Sequence, residues 1–352
     1  MSSTTSKFVI VGQGLAGTVL AFLLSEEGFD VCIIDNGHAS SSSMVAAGMW
    51  NPVSFKKLNR SWIADELLPA AYAFYPKLEA ALDESFFHPT DLVRIFPDTR
   101  AANEWDERSV HPELSAYLTS DQDDSINHYF AQPHGHGVIT QAGWLNIPKM
   151  ILSARKYFSE KNMIVEKELD QNDIDNARSE NATVIFCNGW KRTFDKRFDW
   201  LDIIPNKGEL LTVHCGDLHL EHMVNFGKFL IPLGEEKYRL GATYELYQDD
   251  VTPSAAAKAN LMSDFQAFYS GDVEILDHKA GYRPTVPDRK PLIGFHPQDA
   301  HVGIFNGFGS KGVMLVPFFA QHFIRHLSFA EPLMKDVDIA RYWKRHNSSF
   351  EK

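Results

Sequence analysis

The chain has 352 residues, 44% hydrophobic and 23% charged, with a formal net charge of −12 at pH 7. This is the composition of a soluble globular protein large enough for about two domains with buried cores. The acidic balance repels a phosphate backbone and argues against general nucleic-acid binding, and no uninterrupted apolar stretch reaches about 18 residues, so no membrane span is expected.

The run "FVIVGQGLAG" at 8–17 opens the chain's first unit. Residues 7–11 read as a buried strand, Leu15 to Glu27 as a helix stopped by Gly28, and "VCIID" at 31–35 as a second strand, which together make a βαβ unit. The glycines, with no basic leader segment before the apolar run, argue against a signal peptide. Each residue of the constellation has a physical use if a dinucleotide binds here. Gly12 makes the tight turn, and Gly14 lets a pyrophosphate approach the backbone. Gly17 and Ala21 let the helix lie close on the sheet. Leu15 and Ala16 open the helix, whose unpaired N–H groups and dipole favour a diphosphate. Asp35, followed by Asn36, ends the second strand, where a carboxylate accepts from both ribose hydroxyls and disfavours a 2′-phosphate. The motif by itself leaves a ligand-free turn open and does not choose between nicotinamide and flavin.

A serine-rich loop at 38–52 follows. Ile63, Leu67, Ala71, Phe74, Leu78 and Leu82 recur at helical spacing and predict a helix over 61–82, with Pro69 and Pro76 expected to kink or split it. In the mixed region 86–142, the stretch 109–125 reads as polar surface. "QPHGHGV" reads as a loop with His134 and His136 solvated. A helix is expected over 146–161 with proline near its start, then strands within 162–169 and 182–190, the second ending at Asn188-Gly189. From 208 the pattern becomes that of an antiparallel sheet, with "KFLIPL" and "YRLGATYE" joined by the short turn "GEEK". Residues 301–327 read as strand, glycine loop and helix. The basic stretches "FKKLNR" at 55–60 and "RYWKRH" at 341–346 read as solvated helix faces. Cys32, Cys187 and Cys215 sit in or beside apolar runs and read as buried hydrophobes. Their spacing, and the scatter of the 15 histidines, suggests no metal site, and the sparse cysteine count suits a cytoplasmic protein.

Over its whole length the chain resembles the D-amino-acid oxidase/glycine oxidase superfamily of FAD-dependent oxidoreductases. The stretches that carry the likeness, beyond the first motif, are "SSSMVAAGM" at 41–49, "VIFCNGW" at 184–190, "GYRPTVPDRKPLIG" at 281–294 and "NGFGSKGVMLVP" at 306–317. The resemblance implies an α/β fold: a Rossmann-like FAD-binding domain of the glutathione-reductase type from residues 1–85, 143–200 and 285–352. A second, substrate-binding domain, mainly antiparallel sheet plus helices, would come from 86–142 and 201–284. It implies FAD, held without a covalent bond, since no cysteine lies in the C-terminal glycine loop.

On this resemblance Ser42 and Ser43 meet phosphate or ribitol oxygens, Ala46, Ala47 and Gly48 let backbone approach a flat ring, and Met49 lies beside it. The backbone at Leu169 meets the adenine side, and Asn188-Gly189 lies near the dinucleotide. The turn Gly309, Ser310, Lys311, Gly312 and Val313 points N–H groups at the N1–C2=O edge of the flavin, where they stabilise negative charge. Lys311 adds a charge there or is a solvated loop lysine. Arg283 matches the arginine that clamps a substrate carboxylate, the alternative being a structural arginine paired with an acid such as Asp288. Phe229 stands where glycine oxidase has a tyrosine, and Ser310 and Lys311 where it has an arginine, which leaves the substrate open. Tyr244 and Tyr282 are substitute hydroxyl donors or packing residues.

The implied reaction is oxidation of a small amine or amino acid of the D-amino-acid, glycine or N-substituted glycine type. A hydride passes to flavin N5, an imine forms, and oxygen or a quinone-type acceptor takes the electrons. Three alternatives stand beside it. "GWLNIP" at 143–148 and the C-terminal glycine loop also resemble a flavin enzyme that demodifies a carboxymethylamino group on tRNA. The other two are a flavin-binding subunit without independent turnover and a plain NAD dehydrogenase.

Overall fold

A computed structural model describes residues 6–37, 41–55, 57–119, 124–191, 196–246 and 250–343. Two sheets organise them. The first has six strands in the order Ile164–Glu166, Asp30–Asp35, Lys7–Val11, Thr183–Phe186, Asp299–Asn306, Leu292–His296. The first five run parallel and Leu292–His296 closes the edge antiparallel. Such strands are buried on both faces, which is why "FVIV" and "VIF" are apolar without alternation. The helices Leu15–Glu26, Ala64–Leu82, Ile147–Glu160 and Gly312–Phe329 pack with this sheet in one hydrophobic core.

The second sheet has nine strands. Along it lie Glu245–Leu246, Ile204–His214, Lys237–Gly241, Phe229–Gly234, Met223–Asn225, Leu92–Ile95, His136–Ile139 and Leu118–Thr119, with the long strand Glu274–Thr285 paired to Ile204–His214. One pair, Met223–Asn225 with Leu92–Ile95, is parallel and the rest are antiparallel. Leu261 and Phe265 of the helix Ala255–Gln266 belong to the core that covers one face of this sheet. The hairpin turn between Phe229–Gly234 and Lys237–Gly241 places Glu235 and Glu236 at φ 52° and 56°, as a type I′ turn requires.

Four expectations are corrected. Ala64–Leu82 is a single helix, not split at Pro69 or Pro76. Both prolines lie on its exposed side, where a missing helix hydrogen bond costs least because water can replace it. The stretch 109–125 is not all polar surface: Leu114, Tyr117 and Leu118 are buried, and Leu118–Thr119 joins the second sheet, while 120–123 lie outside the described residues. His136 is not solvated. It is buried in the strand His136–Ile139, with Gln132 Oε1 2.5 Å from Nδ1. "FKKLNR" is no helix: Asn59–Arg60 pairs with Val53–Ser54 as a short hairpin. Of 341–346, only 341–343 are described.

Candidate active site

A cavity of about 480 Å3 opens at the carboxyl ends of the parallel strands, walled by both sheets, the serine-rich loop and the start of helix Gly312–Phe329. This is where open α/β sheets place ligands. It is lined by Gly12, Gly14, Leu15, Ala16, Asp35, Asn36, Ser42, Ser43, Ala47, Gly48, Met49, Leu169, Asn188, Gly189, Phe229, Arg283, Gly309, Ser310, Lys311, Gly312 and Val313. Of the other residues the sequence nominates, Ala46 and Tyr282 line it too, and Ala21, Tyr244 and Gly17 do not. That glycine lies behind the wall, where a Cβ would stand 1.9 Å from the Gly12 carbonyl oxygen. Its part is close packing of helix on turn.

At one end the turn is fixed by hydrogen bonds. Gly12 N–H donates to Ile34 O at 2.9 Å, and Asp35 is almost wholly buried. Its carboxylate accepts from Gln13 N–H at 2.8 Å, from Gly37 N–H at 2.9 Å and from Arg155 Nη1 at 2.9 Å. Arg155 also bonds Gln13 Oε1 and Glu166, both at 2.9 Å. The motif did not reveal Arg155, which comes from helix Ile147–Glu160. The available signal was its place four residues after Ile151, on the helix flank that turns inward.

The serine hydroxyls act within the loop. Ser43 Oγ accepts from Leu15 N–H at 3.1 Å, and the Ser42 hydroxyl donates to the Tyr282 carbonyl, so the pair ties the loop to the first helix and to strand Glu274–Thr285. Gly48, at φ 75°, lies against Leu145, where a Cβ would meet the carbonyl oxygen at 1.9 Å. Only glycine lets the loop press down there. Met49 follows in the short strand Met49–Trp50.

At the other end stands Arg283. Nη1 donates to Asn206 Oδ1 at 2.9 Å and to Lys207 O at 3.5 Å, and Nη2 donates to Thr243 O at 3.3 Å. Its guanidinium lies 5.4 Å from the centre of the largely exposed Tyr244 ring. A Cβ at Gly208 would collide with the guanidinium at 2.2 Å, so the neighbouring strand makes room for it. Among the described residues Arg283 has no ion pair, and burial pulls its pKa down. Asp288, the acid that would have made it structural, pairs instead with Arg341 at 2.9 Å. Phe229 flanks the same end, packed on Gly241. Tyr282 is buried in the wall with its ring 4.8 Å from Trp190. Lys311 donates to Ser61 Oγ at 2.8 Å, and removal from water, with the Arg289 charge nearby, lowers its pKa. Cys187 lines the cavity with a buried thiol whose pKa burial pushes far up.

The residues present fit a dinucleotide with a flat reactive ring. The glycine turn and helix start suit a diphosphate, Asp35 suits a ribose, and the loop pressed down at Gly48 leaves a slot beside Met49. Among the described residues no group of His, Cys, Asp or Glu is arranged to hold a metal ion, and no helix is long and apolar enough to cross a membrane.

Residues 7–325 match the profile of the DAO family, described as FAD dependent oxidoreductase, and the chain belongs to that family. Glycine oxidase of Pseudomonas putida is 26% identical, with 96% of this chain and 98% of the relative covered. The tRNA 5-methylaminomethyl-2-thiouridine biosynthesis bifunctional protein MnmC of Marinobacter nauticus is 22% identical over 90% of this chain, which spans 55% of that protein. Among solved structures, glycine oxidase from Geobacillus kaustophilus superposes with a TM-score of 0.78 at 18% identity, covering 96% of this chain and 98% of that one. The α/β fold is thus shared, and the cofactor is FAD.

Proposed function

We propose that this FAD-dependent oxidoreductase oxidises a small amine that carries a carboxylate, an amino acid or an N-substituted glycine, and that Arg283 clamps the carboxylate. One observation carries the proposal: a half-buried guanidinium on the cavity wall, held only by neutral acceptors, with Asp288, five positions on, engaged by Arg341. A half-buried cation without a charged partner is costly, and a planar bidentate anion is its natural complement.

Around it we assign Gly12, Gly14, Leu15, Ala16, Asp35, Asn36, Leu169, Asn188 and Gly189 to the adenosine diphosphate half, with Gly17 supporting them from behind. Ser42, Ser43, Ala47, Gly48, Met49 and the 309–313 turn are assigned to the flavin half. Bound FAD supplies the two-electron acceptor that converts an amine to an imine, which water then hydrolyses. The chain's own residues do the rest. Arg283 fixes the substrate by its carboxylate and so orients the C–N bond. Phe229, Met49, Trp50 and Ala242 make that end of the cavity apolar, which disfavours the ammonium form and presents the amine neutral. Lys311 and the N–H groups of the 309–313 turn place positive potential at the start of helix Gly312–Phe329. The protonated Cys187 thiol is no nucleophile, in keeping with a dissociable cofactor.

The test is an anaerobic screen of D-amino acids, sarcosine and proline analogues against the purified yellow protein. Bleaching of flavin absorbance by carboxylate-bearing amines, and not by their decarboxylated counterparts, is the expected result. Equal bleaching by both sinks the clamp. The likeness to the tRNA-modifying relative favours a second reading, a carboxymethylamino group on tRNA as substrate. It requires tRNA binding that weakens steeply with salt.

A further inference from the structure

A second cavity, of about 160 Å3, lies on the far side of the serine-rich loop. Its floor is one face of the second sheet. Thr212 of Ile204–His214 pairs with Arg239 of Lys237–Gly241, and Leu210 pairs with Lys279 of Glu274–Thr285. Directly paired residues share a face, so Arg239 and Lys279 rise from the same side and line one cavity, and Asp277, paired with Thr212 from Glu274–Thr285, rises beside them. Helix Ile147–Glu160 begins at its edge, where its N-cap Asn146 also lines it and brings the positive end of the helix dipole.

The state of Arg239 says what the cavity lacks. Nη1 donates to Ala46 O at 3.3 Å, while Nε is buried and without a partner. Among the described residues no carboxylate lies within ion-pair distance of it. The acid whose charge reaches it, Asp277, is 3.0 Å from Lys279 Nζ, and its other oxygen accepts His278 N–H at 2.8 Å. Arginine stays charged when buried, and its rigid fork matches planar or tetrahedral oxyanions. A cavity of this size takes an anion of a few heavy atoms and no nucleotide.

We propose that this cavity binds a small oxyanion, a carboxylate or a phosphate, on the open edge of Arg239 with Lys279 as second cation, and that its occupancy is coupled to the flavin site. The coupling has a visible route. Val45 and Leu210 line both cavities, and Ala46, whose carbonyl Arg239 holds, lines the larger one. An anion that re-aims the guanidinium shifts the loop that runs through Ala47, Gly48 and Met49. Linkage then requires each site to alter the other's affinity by the same factor.

The experiment is calorimetric titration of the FAD-loaded protein with sodium phosphate and, separately, sodium acetate. Sodium chloride holds ionic strength constant, and the flavin absorption spectrum is recorded at each point. One saturable site is expected with phosphate, with a spectral change that saturates in step; acetate is expected to fill this site and a second, at Arg283, that Arg283→Ala removes. Arg239→Met should weaken the phosphate site at least tenfold and Lys279→Met several-fold, while Arg283→Ala should leave it within twofold, separating this site from the substrate clamp. The Lys279 side chain is 56% exposed, so its variant will fold even if Arg239→Met does not. The tighter of the two anions names the ligand class. Absence of saturable heat with both, or unchanged affinity in Lys279→Met, overturns the site. Heat with a static flavin spectrum overturns the coupling.

Discussion

Arg283 and Asp288 are five positions apart in sequence, yet the fold sends them to different partners. Arg283 faces Asn206 and Thr243, neutral groups that hold the guanidinium in place without neutralising it. A charge-assisted bidentate contact in such surroundings contributes about 3–4 kcal/mol, so Arg283→Ala should raise KM for carboxylate substrates by about 10²–10³-fold. Arg283→Lys should recover only part of this, because a point charge cannot fork. Flavin absorbance of both variants should stay at the wild-type level; its loss would mean the residue supports the cofactor instead. Asp35 gives the second residue-scale prediction. Its carboxylate pairs with Arg155 at 2.9 Å, so Arg155→Ala removes a cation from a nearly buried carboxylate that keeps its backbone donors at Gln13 and Gly37. Dissociation of FAD, followed by fluorescence, should become about tenfold easier. An unchanged constant would remove Asp35 from the proposed ribose contact.

At the scale of elements, the first βαβ unit was legible because one short stretch carries all of its determinants. Lys7–Val11, Leu15–Glu26 and Asp30–Asp35 fall within a residue of the expected bounds. The helix over Ala64–Leu82 was legible from its apolar stripe, but the prolines misled, since propensity says nothing about which side of a helix faces water. Leu114, Tyr117 and Leu118 were missed because a polar stretch gives no sign that a neighbouring strand will bury its few apolar members. The groups that hold Arg283 were also illegible. Asn206, Gly208 and Thr243 belong to other strands, and nothing local marks them before the sheet is assembled. Gly17 tests the turn as an element. A Cβ there meets a backbone oxygen at 1.9 Å, whereas at Gly28 it meets nothing within 4 Å and only the φ of 81° resists it. Gly17→Ala should therefore cost about 1–3 kcal/mol in denaturant unfolding and release FAD, while Gly28→Ala should cost about 1 kcal/mol and keep it. Equal behaviour of the two variants would deny the close helix–turn packing.

For the whole molecule, the large cavity takes its walls from both sheets. Val11, Ile34 and Asn306 come from the first, and Gly208, Leu210 and Phe229 from the second. A ligand filling it touches both sheets, which already share one hydrophobic core through Ile10, Ile33 and Phe305 of the first and Leu92, Ile139, Met223 and Ile231 of the second. FAD at a hundredfold excess over its dissociation constant stabilises the folded state by about 2.7 kcal/mol through mass action. With an unfolding entropy of about 2.1 cal/mol/K per residue, that is a rise of about 3–4 °C in Tm over the apoprotein for a chain of this size. Where the stabilisation falls is more informative than its size. If the cofactor spans both walls, hydrogen exchange should slow on FAD addition in Phe229–Gly234 as well as in Lys7–Val11. Protection confined to Lys7–Val11 and its neighbours would place the cofactor on the first sheet alone, and Phe229 and Arg283 would then have no ring beside them to serve.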